Sequence, residues 1–264
     1  MRDLSTELGF ALDVARLGGR IALGHFRKDP EARRKADGTW VTEADWAVEA
    51  QIRLRIARTF PEHNVLGEEE GLSAAGGGEP IDGAPTWIID PIDATHNYMA
   101  GVPIWATLVA LREGGESLVG VCHAPAIDET YEATVGGGAR MNGASITVSE
   151  PIRMDQATVF TTGLESFLQE GLDELYLALV KGAWRTRGFG DFWGHMLVAR
   201  GAGHVMIEPE LNLWDVAALE PIVREAGGRI TGLDGRPWSS GPCLTACPNL
   251  HNEVLKLAAA HGRG

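Results

Sequence analysis

Hydrophobic residues recur with two different spacings along the chain. Segments 4–26 and 44–59 carry apolar residues at near-helical spacing, which predicts two amphipathic helices. A β-hairpin around Asp37-Gly38 is predicted between them, over residues 35–42. Segment 71–85 is rich in glycine, alanine and proline, so we predict a mobile surface loop there.

Alternating apolar and polar residues predict strands after that loop. These strands cover residues 104–111, 117–123, 130–135 and 146–148, with glycine-containing turns at 136–138 and 142–143. Beyond residue 150, strands and helices alternate: strands at 157–162, 183–187, 203–207, 229–231 and 243–246, and helices at 164–181, 191–201, 214–226 and 250–261. We therefore expect an α/β protein of two halves, 1–150 and 151–264, joined in one compact unit.

Composition narrows the possible partners and the compartment. The 264 residues carry a net charge of −13, which argues against nucleic acid or an anionic membrane as a partner. Cys122, Cys243 and Cys247 lack the spacing of a metal motif and are expected to be reduced thiols. The N-terminal residues lack the apolar segment of a signal peptide, and no run is long enough to span a membrane, so we expect a cytoplasmic protein.

Two carboxylates follow the most apolar strand signal in the chain. Trp87-Ile88-Ile89 predicts the end of a buried strand, and Asp90 and Asp93 come directly after it. Pro91 between them has no N–H to donate, so we expect the chain to leave the sheet there, with Thr95 opening the next helix. Because neighbouring carboxylates repel unless a proton or a cation lies between them, this pair favours a divalent metal ion and an enzyme.

Three other acidic motifs accompany this pair. Glu68, Glu69 and Glu70 follow a short apolar segment, and Asp215 lies in the first turn of the helix predicted over 214–226. Asp45 lies at the entry to the helix predicted over 44–59. Taken singly, each motif is more typical of a solvated loop or a helix cap than of a metal site, so the acidic residues alone leave both interpretations open.

In their order and spacing these motifs resemble the inositol monophosphatase family of metal-dependent phosphomonoesterases. The resemblance covers nearly the whole chain and rests on the Glu68-Glu69 loop, on Asp90-Pro91-Ile92-Asp93-x-Thr95, and on the Trp214-Asp215 helix that ends in Glu-Ala-Gly-Gly. It implies the layered α-β-α-β-α sandwich of the sugar-phosphatase superfamily, with the active site at the junction of the two halves. It also implies a homodimer that acts on a small phosphate ester.

The resemblance further implies a role for each matching residue. Two or three Mg²⁺ ions are expected per active site, the first held by Glu68, Asp90 and the Ile92 carbonyl, the second by Asp90, Asp93 and Asp215. Asp93 and the amides of Ala94 and Thr95 would bind phosphate, while Glu69 would support a ligand position. Glu68 and Thr95, the latter hydrogen-bonded to Asp45, would serve catalysis by orienting an attacking water.

Ala94 stands where the family usually has glycine, and His96 where threonine or lysine is more common. The other histidines considered are interpreted as surface or core residues: His25, His63, His123, His195 and His204.

Three further segments resemble the bacterial histidinol-phosphate phosphatases of this family, namely 101–107, 185–193 and 208–210. This likeness implies hydrolysis of L-histidinol phosphate, a reaction of histidine biosynthesis, with Asp191, Glu208 and Arg187 in contact with the substrate. Histidinol carries an ammonium and an imidazole, which added carboxylates suit better than they suit a neutral polyol.

Alternatives stay open on the residues alone. The substrate could instead be inositol 1-phosphate or a broad range of esters, and Asp191 could be a plain helix cap. Trp105 and Trp193 could belong to the core rather than to the site. A different class of protein, a catalytically silent metal-binding regulator of the same fold, is favoured only by Ala94, and the complete set of carboxylates opposes it.

Overall fold

The computed structural model describes residues 2–28, 32–35, 40–150 and 153–261. The two predicted N-terminal helices are confirmed as α1 (Ser5–His25) and α2 (Glu43–Thr59). Between them, β1 (Ala32–Arg34) and β2 (Trp40–Thr42) pair antiparallel, whereas the predicted turn at Asp37-Gly38 lies outside the described residues.

An eight-stranded sheet forms the centre of the first half of the chain. Its strands are β3 (Asn64–Gly67), β4 (Gly71–Ala74), β5 (Thr86–Asp93), β6 (Ala106–Glu113), β7 (Glu116–Ala124), β8 (Glu129–Thr134), β9 (Gly138–Met141) and β10 (Ala144–Ser145). Their order is β10-β9-β8-β7-β6-β5-β3-β4, and only the β3–β5 pair is parallel among these strands.

Two predictions for this region are wrong. The segment predicted as a mobile loop contains β4, because residues 71–74 pair with β3 in an antiparallel hairpin. The strand predicted over 146–148 is absent, and β9 and β10 precede it. The amide of Ile146 donates to Ala139, whereas that of Val148 donates to Ala226, so this segment crosses from the sheet to a helix instead of extending one ladder.

The chain does not leave the sheet at Pro91, contrary to the prediction. Asp90 pairs with Leu108 and Asp93 pairs with Ala106, so β5 continues through an irregularity that contains Pro91. A bulge is where a sheet accepts proline, because the residue there need not donate to the ladder. The irregularity leaves Asp90 and Asp93 both buried at the end of the strand. A five-residue helix, α3 (Thr95–Met99), follows as predicted.

A five-stranded sheet is built from the second half of the chain. Its strands are β11 (Thr158–Thr161), β12 (Arg185–Gly188), β13 (Val205–Glu208), β14 (Arg229–Gly232) and β15 (Cys243–Ala246), in the order β12-β11-β13-β15-β14. All five strands agree with the predicted positions. The helices are α4 (Leu164–Gln169), α5 (Asp173–Gly182), α6 (Asp191–Ala199), α7 (Leu213–Ala217), α8 (Leu219–Glu225) and α9 (Pro248–His261).

Two helices predicted as single elements are each divided in two. The helix predicted over 164–181 breaks at Gly171, whose φ of +65° belongs to the left-handed region. The helix predicted over 214–226 breaks at Ala218, because Pro221 has no N–H to donate to the carbonyl of Ala217.

The two sheets and three helical layers form an α-β-α-β-α sandwich, which confirms the expected fold class. Ile89 faces α1 and α2, whereas its neighbour Ile88 packs with α6, α7 and α8 between the sheets. The outer face of the five-stranded sheet is covered by α4, α5 and α9. A Cβ on Gly120 would lie 2.1 Å from the carbonyl oxygen of Ala218, so only glycine lets the middle layer approach β7 this closely. Within the described ranges, no helix has the combination of length and apolar character that crossing a membrane requires.

Candidate active site

A cavity of about 500 Å³ opens where the two sheets meet. Most of the residues predicted from the sequence line it, namely Glu68, Asp90, Ile92, Asp93, Ala94, Thr95, Asp191, Glu208 and Asp215. They come from both sheets and from the helix layer between them, as the predicted junction requires.

Three aspartates meet at one wall of this cavity. One carboxylate oxygen each from Asp90, Asp93 and Asp215 lies within 4.8 Å of the other two. The first two are placed by the irregular end of β5, and the third by the first turn of α7, where its Oδ2 accepts the amide of Asn212 at 2.6 Å. Sequence segments more than 100 residues apart therefore contribute to one acidic cluster.

Burial and mutual repulsion disfavour the ionised form of these carboxylates, and a bound cation would offset both effects. Burial, followed by repulsion from Glu68 and the neighbouring aspartates, raises the pKa of Asp90 well above its usual range. Burial likewise raises the pKa of Asp93 well above the usual range and that of Asp215 to about 7. The Oδ1 of Asp90 is buried and has no hydrogen-bond partner in the described part of the chain. An all-oxygen set with an unpartnered buried ligand atom fits a hard divalent ion.

The turn that carries Glu68 is organised by Glu49, a residue that the sequence patterns do not single out. Its fully buried carboxylate accepts the amides of Glu69 and Glu70 at 2.8 and 3.0 Å, and it pairs with Arg53 Nε at 2.8 Å. A Cβ on Gly67 would lie 2.1 Å from Glu49 Oε1, so glycine is needed beside it. The sequence does carry one sign of a buried role for Glu49, because this acidic residue follows Val48 on the apolar face of α2.

Lys35 is a second residue that the patterns do not indicate. Its Nζ donates to Glu68 Oε1 at 2.8 Å and to Glu69 Oε1 at 2.7 Å. Burial opposes the charge of Lys35, but the two carboxylates outweigh it and raise its pKa. Burial raises the pKa of Glu69 to about 7, and the ammonium opposes that shift. Glu69 thus binds the ammonium group of Lys35, which also contacts Glu68.

The segment expected to bind phosphate begins at Ala94, which adopts a left-handed conformation with φ of +67°. Glycine has no steric penalty in this conformation, which explains why glycine is usual at the position and marks Ala94 as locally strained. The amide donors of Ala94 and Thr95 lie at the start of α3 and line the cavity.

The expected hydrogen bond between Thr95 and Asp45 is absent. Thr95 Oγ1 donates to the carbonyl oxygen of Ile92 at 3.0 Å, and Asp45 Oδ2 accepts the amide and the hydroxyl of Thr42. The Oδ2 atom of Asp45 is engaged in this way because Asp45 and Thr42 together form the capping box at the start of α2. Its buried Oδ1 has no partner among the described residues, and burial raises its pKa to about 6.

Asp191 and Glu208 form a second acidic group beside the aspartate cluster. The amide of Asp191 donates to Glu208 Oε1 at 3.3 Å, and Asn97 Nδ2 donates to Asp191 Oδ2 at 3.4 Å. The N-cap position of α6 is occupied by Gly190, so Asp191 is the first residue inside the helix; its φ is +57°, and its Oδ2 accepts from Asn97. Burial raises the pKa of both carboxyls to about 7, and for Asp191 the charge of Glu208 adds to this shift. The geometry therefore does not support a plain helix cap.

Three predicted or suspected contact residues lie away from the cavity. Arg187 is exposed on the edge strand β12, where its Nη1 donates to the carbonyl of Thr186, so the structure does not place it at the site. Trp105 is fully buried against Phe26 and Tyr98 and belongs to the core. Trp193 donates its Nε1 to Glu129 Oε2 at 3.2 Å.

Comparison with known proteins agrees with this geometry. A sequence profile described as the inositol monophosphatase family matches residues 3–263. The chain belongs to the inositol monophosphatase family. This family is metal-dependent, and the aspartate cluster described above could bind a metal ion.

Members of the inositol monophosphatase family with named activities are similar to this protein over most of the chain. The sequence is 39% identical to the histidinol-phosphatase of Streptomyces coelicolor, with 97% of each chain covered. It is 42% identical to the histidinol-phosphatase of Mycobacterium tuberculosis, with 84% of this chain and 85% of that one covered. Among solved structures, Thermotoga maritima IMPase superposes with a TM-score of 0.85 at 30% identity, covering 97% of each chain. The chain is a phosphoric monoester hydrolase, which disfavours the silent-regulator alternative.

Proposed function

We propose that this hydrolase acts on a phosphate ester whose alcohol carries positive charge, with L-histidinol phosphate as its substrate. The observation that carries the proposal is the acidic pair Asp191 and Glu208, which lines the same cavity as the aspartate cluster. An ammonium or imidazolium group would be attracted to this pair, whereas a neutral polyol offers nothing that compensates its charge. The similarity to two histidinol-phosphatases supports the same substrate.

Mg²⁺ is the cofactor we propose, held by Glu68, Asp90, Asp93, Asp215 and the Ile92 carbonyl, with two or three ions per site. When bound, such ions neutralise phosphate charge and favour ionisation of water. The amides of Ala94 and Thr95 would orient the phosphate oxygens, because they stand at the start of α3, where the first N–H groups of a helix have no acceptor within the helix.

Thr95 and Asp45 would orient the attacking water in this proposal. The Thr95 hydroxyl donates to the Ile92 carbonyl, so its hydrogen has to turn away from that carbonyl before Thr95 can donate to Asp45. Asp45 Oδ1 is a buried acceptor without a partner in the described residues, and a pKa of about 6 leaves it largely ionised at neutral pH. We propose that Thr95 then donates to Asp45 and accepts a hydrogen bond from the water.

We also propose a homodimer, on an observation of its own. Leu177 and Val180 lie one turn apart on α5 and are 46% and 40% exposed, and Trp184, just after the helix, is 67% exposed. Exposed apolar residues grouped on one element are typical of a protein–protein interface.

We likewise propose the cytoplasm as the compartment, since all three cysteines are free thiols. Residue 150 remains the proposed boundary between the two halves of the chain.

Phosphate release from three esters tests the proposed substrate. L-histidinol phosphate, inositol 1-phosphate and glycerol 2-phosphate are compared at equal concentration, with Mg²⁺ and with EDTA. We expect the highest kcat/KM for histidinol phosphate and no release with EDTA. A higher kcat/KM for inositol 1-phosphate would instead support the polyol alternative, and equal values for all three would indicate broad specificity.

A further inference from the structure

Glu208 has a buried partner behind the cavity wall. Its Oε1 accepts the amide of Asp191, while its Oε2 lies 3.4 Å from Nε2 of His195 on α6. Both atoms are buried, and neither has a formed hydrogen bond within the described ranges, so at 3.4 Å they face each other with no other partner available. His195 itself is fully buried and does not line the cavity, so it cannot touch a substrate there.

The other ring nitrogen of His195 is fixed by a residue of a third element, strand β15. Its Nδ1 lies 2.7 Å from the hydroxyl oxygen of Thr245 on β15, which is also fully buried. If Nδ1 carried the proton, the lone pair of Nε2 would face Oε2 of Glu208, and two acceptors would oppose each other whenever Glu208 is ionised, which is the form that attracts a cation. The opposite tautomer avoids this, because the Thr245 hydroxyl then donates to Nδ1 and Nε2–H points at Glu208. Burial lowers the pKa of His195 to about 4, so the ring is neutral at physiological pH.

We propose that His195 is a positioning residue for substrate selectivity: held by Thr245, it donates Nε2–H to Glu208 and directs that carboxylate toward the cationic end of the substrate. The inference rests on the proposed function in one respect, namely that Glu208 contacts the substrate. It adds a chain of three residues from α6, β13 and β15 that was not apparent from the sequence, where His195 was interpreted as a core or surface histidine.

The geometry gives the ring a role that packing alone does not require. An aliphatic residue could fill the same volume in this core, but it would leave Glu208 Oε2 buried without a donor. A buried carboxylate oxygen without a donor either takes up a proton or turns toward another partner, and both changes weaken its attraction for a cation. Loss of the ring N–H should therefore act on KM for a cationic ester and leave the hydrolysis step unaffected.

Paired variants separate positioning from packing. His195→Leu and Thr245→Val remove the donors, whereas His195→Gln retains an N–H and Thr245→Ser retains the hydroxyl. We expect His195→Leu to raise KM for histidinol phosphate about tenfold, the range expected for one hydrogen bond to a charged group. Thr245→Val should raise it severalfold, and the conservative variants should stay within about threefold of wild type. KM for glycerol 2-phosphate and kcat for both esters should not change.

Nuclear magnetic resonance gives a readout that does not depend on the substrate. In protein labelled with ¹⁵N-histidine, the resonances that disappear in His195→Gln belong to His195, and their shifts report which nitrogen is protonated. We expect the Nε2–H tautomer, with a shift that changes in Glu208→Gln. An Nδ1–H tautomer would overturn the inference, as would equal losses on both esters in His195→Leu and His195→Gln. If wild type shows no preference for the cationic ester, the proposed substrate fails and the spectrum alone decides the role of His195.

Discussion

The amide of Phe192 donates a 2.9 Å hydrogen bond to Oδ2 of Asp93. Asp93 ends β5 of the eight-stranded sheet, while Phe192 follows Asp191 in the first turn of α6. This bond ties the aspartate cluster to the helix that starts at the second acidic pair. A shift of α6 would therefore change the position of a candidate metal ligand as well as that of Asp191.

Replacement of Asp90 should have the largest effect on activity among the acidic residues. Asp90 is expected to contact two ions, so Asp90→Asn should lower kcat by roughly a thousandfold or more. Asp45→Asn should cost less, because the proposed role of Asp45 is exerted through Thr95 and a water and not through a metal ion. Steady-state phosphate release at saturating Mg²⁺ measures both, with the exposed Asp82→Asn as control. Equal, small losses in the two buried variants would contradict the assignment.

Binding of Mg²⁺ should stabilise the protein, because an ion relieves repulsion among Asp90, Asp93 and Asp215. At a metal concentration about 100-fold above Kd, one site should add about 2.7 kcal/mol to the free energy of unfolding. Thermal unfolding in EDTA and in Mg²⁺ measures the gain, and Asp90→Asn should reduce it. Superimposable unfolding curves for the wild type would be incompatible with a shared metal cluster.

The metal-free protein should lose stability as pH rises from about 4 to above 7. In the folded protein burial raises the pKa of Asp90 and Asp93 well above the usual range and that of Asp215 to about 7. The unfolded chain releases these protons near pH 4, so between the two pKa values the folded state binds more protons, and raising the pH favours unfolding. Chemical unfolding in EDTA at pH 5.5 and 8.0 measures the difference. Mg²⁺ should reduce it, and a gain in stability toward pH 8.0 in EDTA would refute the expectation.

Glu49 should affect the metal requirement more than the chemical step. Glu49→Gln leaves one carbonyl oxygen to accept the amides of Glu69 and Glu70, and it removes the nearer and buried carboxylate of the two that pair with Arg53, the other being that of Glu70. We expect the Mg²⁺ concentration for half-maximal activity to rise severalfold and stability to fall by about 1–3 kcal/mol. The kcat at saturating Mg²⁺ should change little. Glu70→Gln is the matched control, since its side chain is 49% exposed, and an equal effect there would remove the special role of Glu49.

Positions of the main elements could be predicted because they depend on local patterns. The pair Asp90 and Asp93 also leaves a local signal, since it directly follows an apolar strand, but the grouping of Asp215 with that pair followed only from the family resemblance. Partners supplied by distant segments leave none. Glu49 and Lys35 differ from ordinary surface charges only through contacts with Glu68 and its neighbours. Asp45 bonds to Thr42, three residues before it, and not to the distant Thr95 that the resemblance implies.

Backbone irregularities explain the remaining differences. Proline normally ends strand pairing, yet at Pro91 the sheet accommodates it in an irregularity and pairing resumes at Asp93. Arg187 shares a resembling segment with Asp191, but α6 turns only the latter toward the cavity, and the position of β12 at the sheet edge exposes the former. Such outcomes depend on where an element lies in the sheet, which composition and periodicity do not specify.

Substrate choice gives the most direct test of the second acidic pair. The φ of +57° at Asp191 favours asparagine over alanine as a replacement, because asparagine tolerates the left-handed region and removes only the charge. A charge-assisted hydrogen bond contributes roughly 1.5–3 kcal/mol, so Asp191→Asn should raise KM for histidinol phosphate by about ten- to a hundredfold. KM for glycerol 2-phosphate and kcat for either ester should remain near wild type, measured by phosphate release at saturating Mg²⁺. If both esters are affected equally, Asp191 supports α6 and the Phe192–Asp93 bond rather than the substrate, and the inositol 1-phosphate alternative gains.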